Sequence, residues 1–271
     1  MTLLIILVFL SPPLSAQENT QPPKAMDARQ VMEAVDNRET GDTAISDTLM
    51  VLVDKKKSKR TRRLKTIKKE YGEDTKGVIF FLSPADVRNP AYMSFDWENP
   101  AREDDSWLYL PAMGKVKRIA AGDKRNAFMG SDFSYSDING MEINDWNYTF
   151  AKESFDLKGQ ETWVIQGRPK AAVRDKVEEE TGYAKLLVWV RKDNFLVVKA
   201  KYWVNKGHKV KYFKAEAIEK IDGIWTPKKL TMVTTVKGKV THSTVLKLSN
   251  IQYNTQVKDT YFTPRSMELG L

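Results

Sequence analysis

The 271-residue chain contains no cysteine. That absence excludes disulfides, thiolate metal sites and acylation of a thiol at a processed N-terminus. Histidine is scarce. Only His208 and His242 occur, and neither has a partner at metal-ligand spacing, so each reads as a surface or hydrogen-bonded residue. There is no G-x-S-x-G elbow to seat a hydrolytic serine. There is no P-loop and no dinucleotide-binding glycine pattern. The acidic runs Glu103-Asp104-Asp105 and Glu178-Glu179-Glu180 sit in polar, turn-like contexts. Acid–base work needs carboxylates whose pKa values are pushed apart by burial or pairing, so these runs read as solvated. The sequence therefore offers no catalytic residue, no metal site and no cofactor site, and an enzyme survives only as a lesser alternative.

Long apolar runs are also missing, with one short exception at the start. Residues 1–16, MTLLIILVFLSPPLSA, carry an apolar stretch from Leu3 to Leu10 that is too short to span a bilayer. Pro12 and Pro13 follow, and Ser15-Ala16 offers a small-residue cleavage site, the pattern of a secretory signal peptide. Residues 17–25 then read as a flexible leader, and residues 26–271 as one domain. Export without disulfides fits a bacterial periplasm and requires a chain that holds itself together by its core. With 41% hydrophobic residues, it has the means.

What the chain has in excess is positive charge and strand pattern. Lys and Arg number 44 against 35 Asp and Glu, a net charge of +9. Much of the excess falls between Lys55 and Lys69. Such a run is either a solvated turn or a steering surface for anionic headgroups or an acidic partner, with Lys55, Lys57, Arg60 and Arg62 as the candidate contacts. Export argues against nucleic acid as that partner. Asp27 stands where a helix N-cap belongs, and Met26, Val31, Met32 and Val35 follow at helical spacing, predicting a helix over 27–38. Beyond it the period changes to two. Strand after strand follows to Tyr253, punctuated by turn signals such as Asp222-Gly223 and Lys237-Gly238. So many sequential hairpins predict one wide antiparallel sheet that curls as it twists.

The stretch from Trp107 to Ile138 departs from that rhythm. A strand ends at Pro111, a basic strand follows at Val116–Ile119, and a glycine-rich segment then carries Phe128, Met129 and Phe133. These three read as an exposed greasy lid. Asp132 among them is expected to cap the short helix or turn that follows Ser131. By the period of two, Met93, Phe95 and Trp97 share one strand face, as do Phe80 and Leu82 on the neighbouring strand. With Tyr109 and the lid residues they form the candidate wall of an apolar cavity. Aromatic and Met side chains suit acyl chains, whose burial is worth about 0.8 kcal/mol per methylene.

The runs Trp107–Pro111, Lys115–Ile119 and Phe128–Tyr135, with the closing DTYFTP at 259–264, resemble the outer-membrane lipoprotein-sorting protein family related to LolA and LolB. The resemblance implies a mainly β fold with a few helices, in which a single curved antiparallel sheet forms an incomplete β-barrel with a helical or loop lid over an apolar cavity. It implies a monomeric periplasmic carrier for the acyl chains of lipoproteins or other lipids. The resemblance implies an inner-membrane exporter as partner, with the resistance-nodulation-division type as one candidate, and the basic run adds an anionic membrane surface. An envelope-stress or lipid sensor gripping an acidic partner is the alternative. A lipid-modifying hydrolase ranks below it.

Overall fold

The computed structural model describes residues 26–84, 89–99 and 102–271. The signal segment and leader read from the sequence lie outside them. The first helix, α1 (Ala28–Asp36), starts where its capping chemistry dictates. The Asp27 side chain accepts from the Gln30 amide and the Gln30 side chain accepts from the Asp27 amide, a reciprocal box that satisfies two otherwise orphaned donors.

Thirteen strands follow: β1 (Thr43–Asp54), β2 (Lys59–Tyr71), β3 (Asp74–Ser83), β4 (Ala91–Asp96), β5 (Asp105–Leu110), β6 (Lys115–Arg118), β7 (Trp146–Asp156), β8 (Glu161–Pro169), β9 (Tyr183–Arg191), β10 (Val197–Val204), β11 (Lys209–Ile221), β12 (Ile224–Val236) and β13 (Lys239–Tyr253). They form one antiparallel sheet in the order β6-β5-β4-β3-β2-β1-β13-β12-β11-β10-β9-β8-β7. Two meanders are thus joined by the long-range pairing of β1 with β13, where Met50 faces Leu246. The sheet curls but does not close, because β6 and β7 remain unpaired edges. The predicted incomplete barrel is what forms.

This topology dictates the position of the lid. The chain leaves one edge of the sheet at Arg118 and enters the other at Trp146. Residues 119–145 therefore cross the mouth of the half-barrel. They contain the short helix α2 (Tyr135–Asn139), and α3 (Arg174–Thr181) and α4 (Pro264–Leu269) are the other α-helices of the described residues.

Apolar residues alternate along the strands, and both faces of the β2–β5 region are covered. One cluster fills the concave face, with Met50, Leu64, Ile79, Phe81, Tyr92, Ile165, Leu186 and Val188 from the sheet packed against Val31 of α1, Val177 of α3 and the crossing segment. A second cluster lies on the other face, where Ile67, Val78, Phe80, Ala91 and Met93 are covered by Val257, Phe262 and Met267 of the C-terminal segment. Val78 to Phe81 are consecutively buried for this reason.

Candidate ligand face and its lid

The concave face carries the larger of the two hydrophobic clusters of the described residues, and the crossing segment is docked onto it. The segment folds back on itself, with the Phe128 amide donating to the Phe133 carbonyl at 2.7 Å and Ala127 bridged to Ser134. Phe128 drops into an aromatic nest. Its ring centroid lies 5.9 Å from Phe81, 5.4 Å from Tyr92 and 5.4 Å from Tyr135. Phe128 is 1% exposed and Phe133 4%. The sequence pattern predicts them exposed. They are buried because the edge-to-edge crossing lays them on the sheet rather than above it. Met129 is half-buried at the surface of the same cluster, with a left-handed backbone (φ 50°) at the tip of the loop.

Several polar contacts pin this segment to the sheet, among them Asn139, whose Oδ1 accepts from Tyr92 and whose Nδ2 donates to Ser106. Arg62 donates from Nη1 to the Met129 carbonyl at 2.5 Å, its guanidinium lying 5.9 Å from the Phe81 ring centre. Asp132 does not cap the following helix, as the sequence reading had it. Ser134 caps α2, in a reciprocal box with Asp137. Asp132 instead reaches across to β12 and β13. Its Oδ1 accepts from Thr234 at 2.5 Å, its Oδ2 accepts from Thr244 at 2.7 Å, and His242 Nδ1 lies 2.6 Å from Oδ2. The Asp132 amide donates to Thr244 Oγ1 at 2.9 Å. A further contact is Asp137, whose carboxylate accepts from Tyr183 at 2.8 and 2.9 Å and lies 3.2 Å from Lys211 Nζ. Burial, and then the Asp137 charge, push the Tyr183 phenol well above its ordinary range, so it stays a donor. A buried carboxylate is tolerated only where such donors surround it. Sequence reasoning singled out Asp132 and His242 separately but did not join them.

The other wall candidates lie elsewhere. Phe80 and Met93 are buried in the outer cluster, with Leu82, Phe95 and Tyr109 packed against it. They share a face, as the period of two predicts, because Val78 pairs with Met93 and Ala91 with Tyr109. Phe95 meets Trp97 edge-on at 5.6 Å. The nine residues are thus split between the two faces of the sheet. The basic hairpin is split too. Lys55 and Lys57 are exposed at its turn, whereas Arg60 and Arg62 pair with Leu52 and Met50 on the concave side.

A polar cavity of about 780 Å³ opens between α1 and the β2–β5 end of the sheet, and Trp97 is the one wall candidate among its lining residues. Here Asp96, Asp104 and Glu142 bring carboxylate oxygens within 4.8 Å of one another. Burial first, then the neighbouring Asp104 and Glu142, raise Asp96 to about 7. The folded protein therefore holds a proton that the unfolded chain, with an ordinary carboxylate near 3.8, has lost. Its stability is expected to fall as pH rises through that window. Asp96 still reaches solvent, so screening moderates the effect. Urea melts at several pH values check this, since Asp96→Asn should flatten the decline. An unchanged pH dependence would mean that Asp96 titrates normally.

A curved, unclosed sheet with its concave face under an edge-to-edge lid defines a class of half-barrel proteins. The structure superposes on a domain named for outer membrane lipoprotein sorting from Vibrio parahaemolyticus, with TM-score 0.77, 25% identity, and coverage of 89% of this chain and 98% of that one. A LolA superfamily protein from Nitrosomonas europaea shares the fold at TM-score 0.65 and 18% identity, over 88% of this chain and 98% of that one. A DUF1329 family protein from Desulfovibrio piger ATCC 29098 gives TM-score 0.78 at 29% identity, over 89% and 97%. A family model described as that of an uncharacterized protein matches residues 73–269, and the chain belongs to that family. No curated protein matches it. No helix of the described residues is long and apolar enough to cross a membrane.

Proposed function

We propose that this protein is a periplasmic carrier that shields the acyl chains of lipoproteins or other lipids against the concave face of its sheet. It takes cargo from an inner-membrane exporter and releases it at a second envelope membrane, as a monomer and without chemistry on the cargo. The observation that carries the reading is the lid. An aromatic segment that runs from one sheet edge to the other is held on an apolar face by its buried rings and by polar contacts, so its lifting would open that face.

The magnitudes favour exchange of lid for cargo. Lifting the lid exposes Phe128, Phe133 and Tyr135, at roughly 1.5–3 kcal/mol each. About ten methylenes of an acyl chain return about 8 kcal/mol when they take that place. The exposed rings are thereby offset, and the polar contacts of Arg62, Asp132 and Asp137 that must also break favour release. The similarity to a protein named for lipoprotein sorting supports the same reading.

Native mass spectrometry of the protein purified from its own envelope tests it. Adducts with the masses of acylated lipids or lipopeptides, at no more than one or two per chain, are expected. Protein that is reproducibly free of adducts and takes up no fluorescent acyl probe would instead favour a sensor whose partner is another protein.

A further inference from the structure

The outward face of β9–β11 carries a lattice of lysines and aromatic rings. Strand register sets it up. Lys199 pairs with Trp189 and Trp203 with Lys185 across β9 and β10, and Lys201 pairs with Tyr212 across β10 and β11. Directly opposed residues point to the same side of a sheet. Their inward neighbours, Leu186, Val188, Ala200 and Tyr202, are buried in the concave cluster. The helices and the C-terminal segment pack on the concave face or on the β3–β4 region, so this outward lattice remains at the surface. Tyr212 is 38% exposed, and the Trp and Lys residues around it are half-buried.

The geometry is specific. Lys199 Nζ lies 4.5 Å from the centre of the Trp189 ring. Lys185 and Lys201 lie 4.6 and 4.3 Å from the Trp203 ring, and Lys201 is also 5.7 Å from Tyr212. The ammonium groups are held over the rings by cation–π attraction, so the charges are fixed in a plane. The outward positions of these stretches of β9 and β10 carry no carboxylate. Further along β11, Glu216 is already paired with Lys214 and Lys229.

We infer that this convex face docks on an anionic lipid bilayer. Indole and phenol rings favour the headgroup level of a membrane, where an apolar body and a polar edge are both satisfied. Lysines held at the same level attract anionic headgroups. Rings capped by ammonium groups are poorly placed to stack on a sugar. The inference stands on this face alone and holds whether or not the concave face takes an acyl chain. It moves membrane contact away from the Lys55–Lys57 turn, which has charge but no aromatic residue beside it.

Cosedimentation with vesicles of phosphatidylcholine and phosphatidylglycerol, against pure phosphatidylcholine, tests it. The protein is expected to bind the anionic vesicles only, and added salt should release it. Lys199→Glu with Lys201→Glu should weaken binding by about tenfold or more, whereas Lys55→Glu with Lys57→Glu should change it less than about twofold. The unaltered protein should also show tryptophan quenching by brominated phosphatidylglycerol, a readout that needs no variant. If the charge-reversed protein does not fold, Lys199→Gln with Lys201→Gln should still weaken binding. Equal binding by the lattice variants, loss of binding in the turn variant alone, or no binding to anionic vesicles at low salt would each overturn the inference. The last result would leave an acidic protein as the partner.

Discussion

Replacing Phe128 by Asp should lower the thermal midpoint by roughly 10 °C and expose apolar surface. Phe128 is 1% exposed and contacts three aromatic rings. Removing such a ring costs about 3–5 kcal/mol even when Ala replaces it. A carboxylate in its place has no donor within that nest and pays for desolvation as well. The chain can escape the second cost in one way, by lifting the lid so that the new charge reaches water. The loss is then capped at the docking energy of the lid, and the concave face is left open. Phe128→Asp should accordingly bind the dye ANS in its folded state, while Phe128→Leu should lose far less stability and bind little dye. Thermal melts and dye fluorescence on both variants check this. An unchanged midpoint in Phe128→Asp would contradict the packing of the lid.

Much of the architecture was legible in the residues. The boundaries of β1, β9, β11, β12 and β13 follow from alternation between turn signals, because a half-buried strand imposes a period of two. The Asp27 cap announced α1. Legibility ended where contacts are long-range. The pairing of Met50 with Leu246 leaves no local trace, yet it is what joins the two meanders. Phe80, Leu82, Met93 and Phe95 were correctly placed on one face. Val78 to Phe81 are apolar on both sides, so the pattern had no means of saying which side was concave. The lid residues were recognised as a unit, but their burial depends on β6 and β7 being opposite edges of one sheet. Asp132 and His242 lie 110 positions apart, and no spacing rule links them. The C-terminal helix also carries a local signal. Thr263 and Pro264 are a helix cap and a first-turn proline, and α4 begins there.

The second large effect follows from the way Asp132 holds the lid. Its amide lies 2.9 Å from Thr244 Oγ1 and its carboxylate 2.7 Å from the same atom, so the two residues are direct neighbours across the lid–sheet boundary. The chain has no native cysteine to compete. Asp132→Cys with Thr244→Cys therefore puts two thiols where the polar latch was, and the mass of the oxidised protein checks that they join in a single reducible bond. Oxidised, it ties the lid to β13. Reduced, it leaves His242 and Thr234 without the carboxylate they share, and the lid is held less firmly than in the unaltered protein. One protein thus provides a closed and a loosened state that differ only in a disulfide.

Titrating that double variant with a fluorescent acyl-chain probe, before and after reduction, tests the carrier account most directly. The account predicts that the oxidised protein takes up essentially no probe. After reduction, uptake should reach at least the level of the unaltered protein. Circular dichroism should be the same in both states. Equal uptake by the oxidised and reduced forms would mean that acyl chains do not enter beneath the lid, and the concave face would then be a protein core and nothing more.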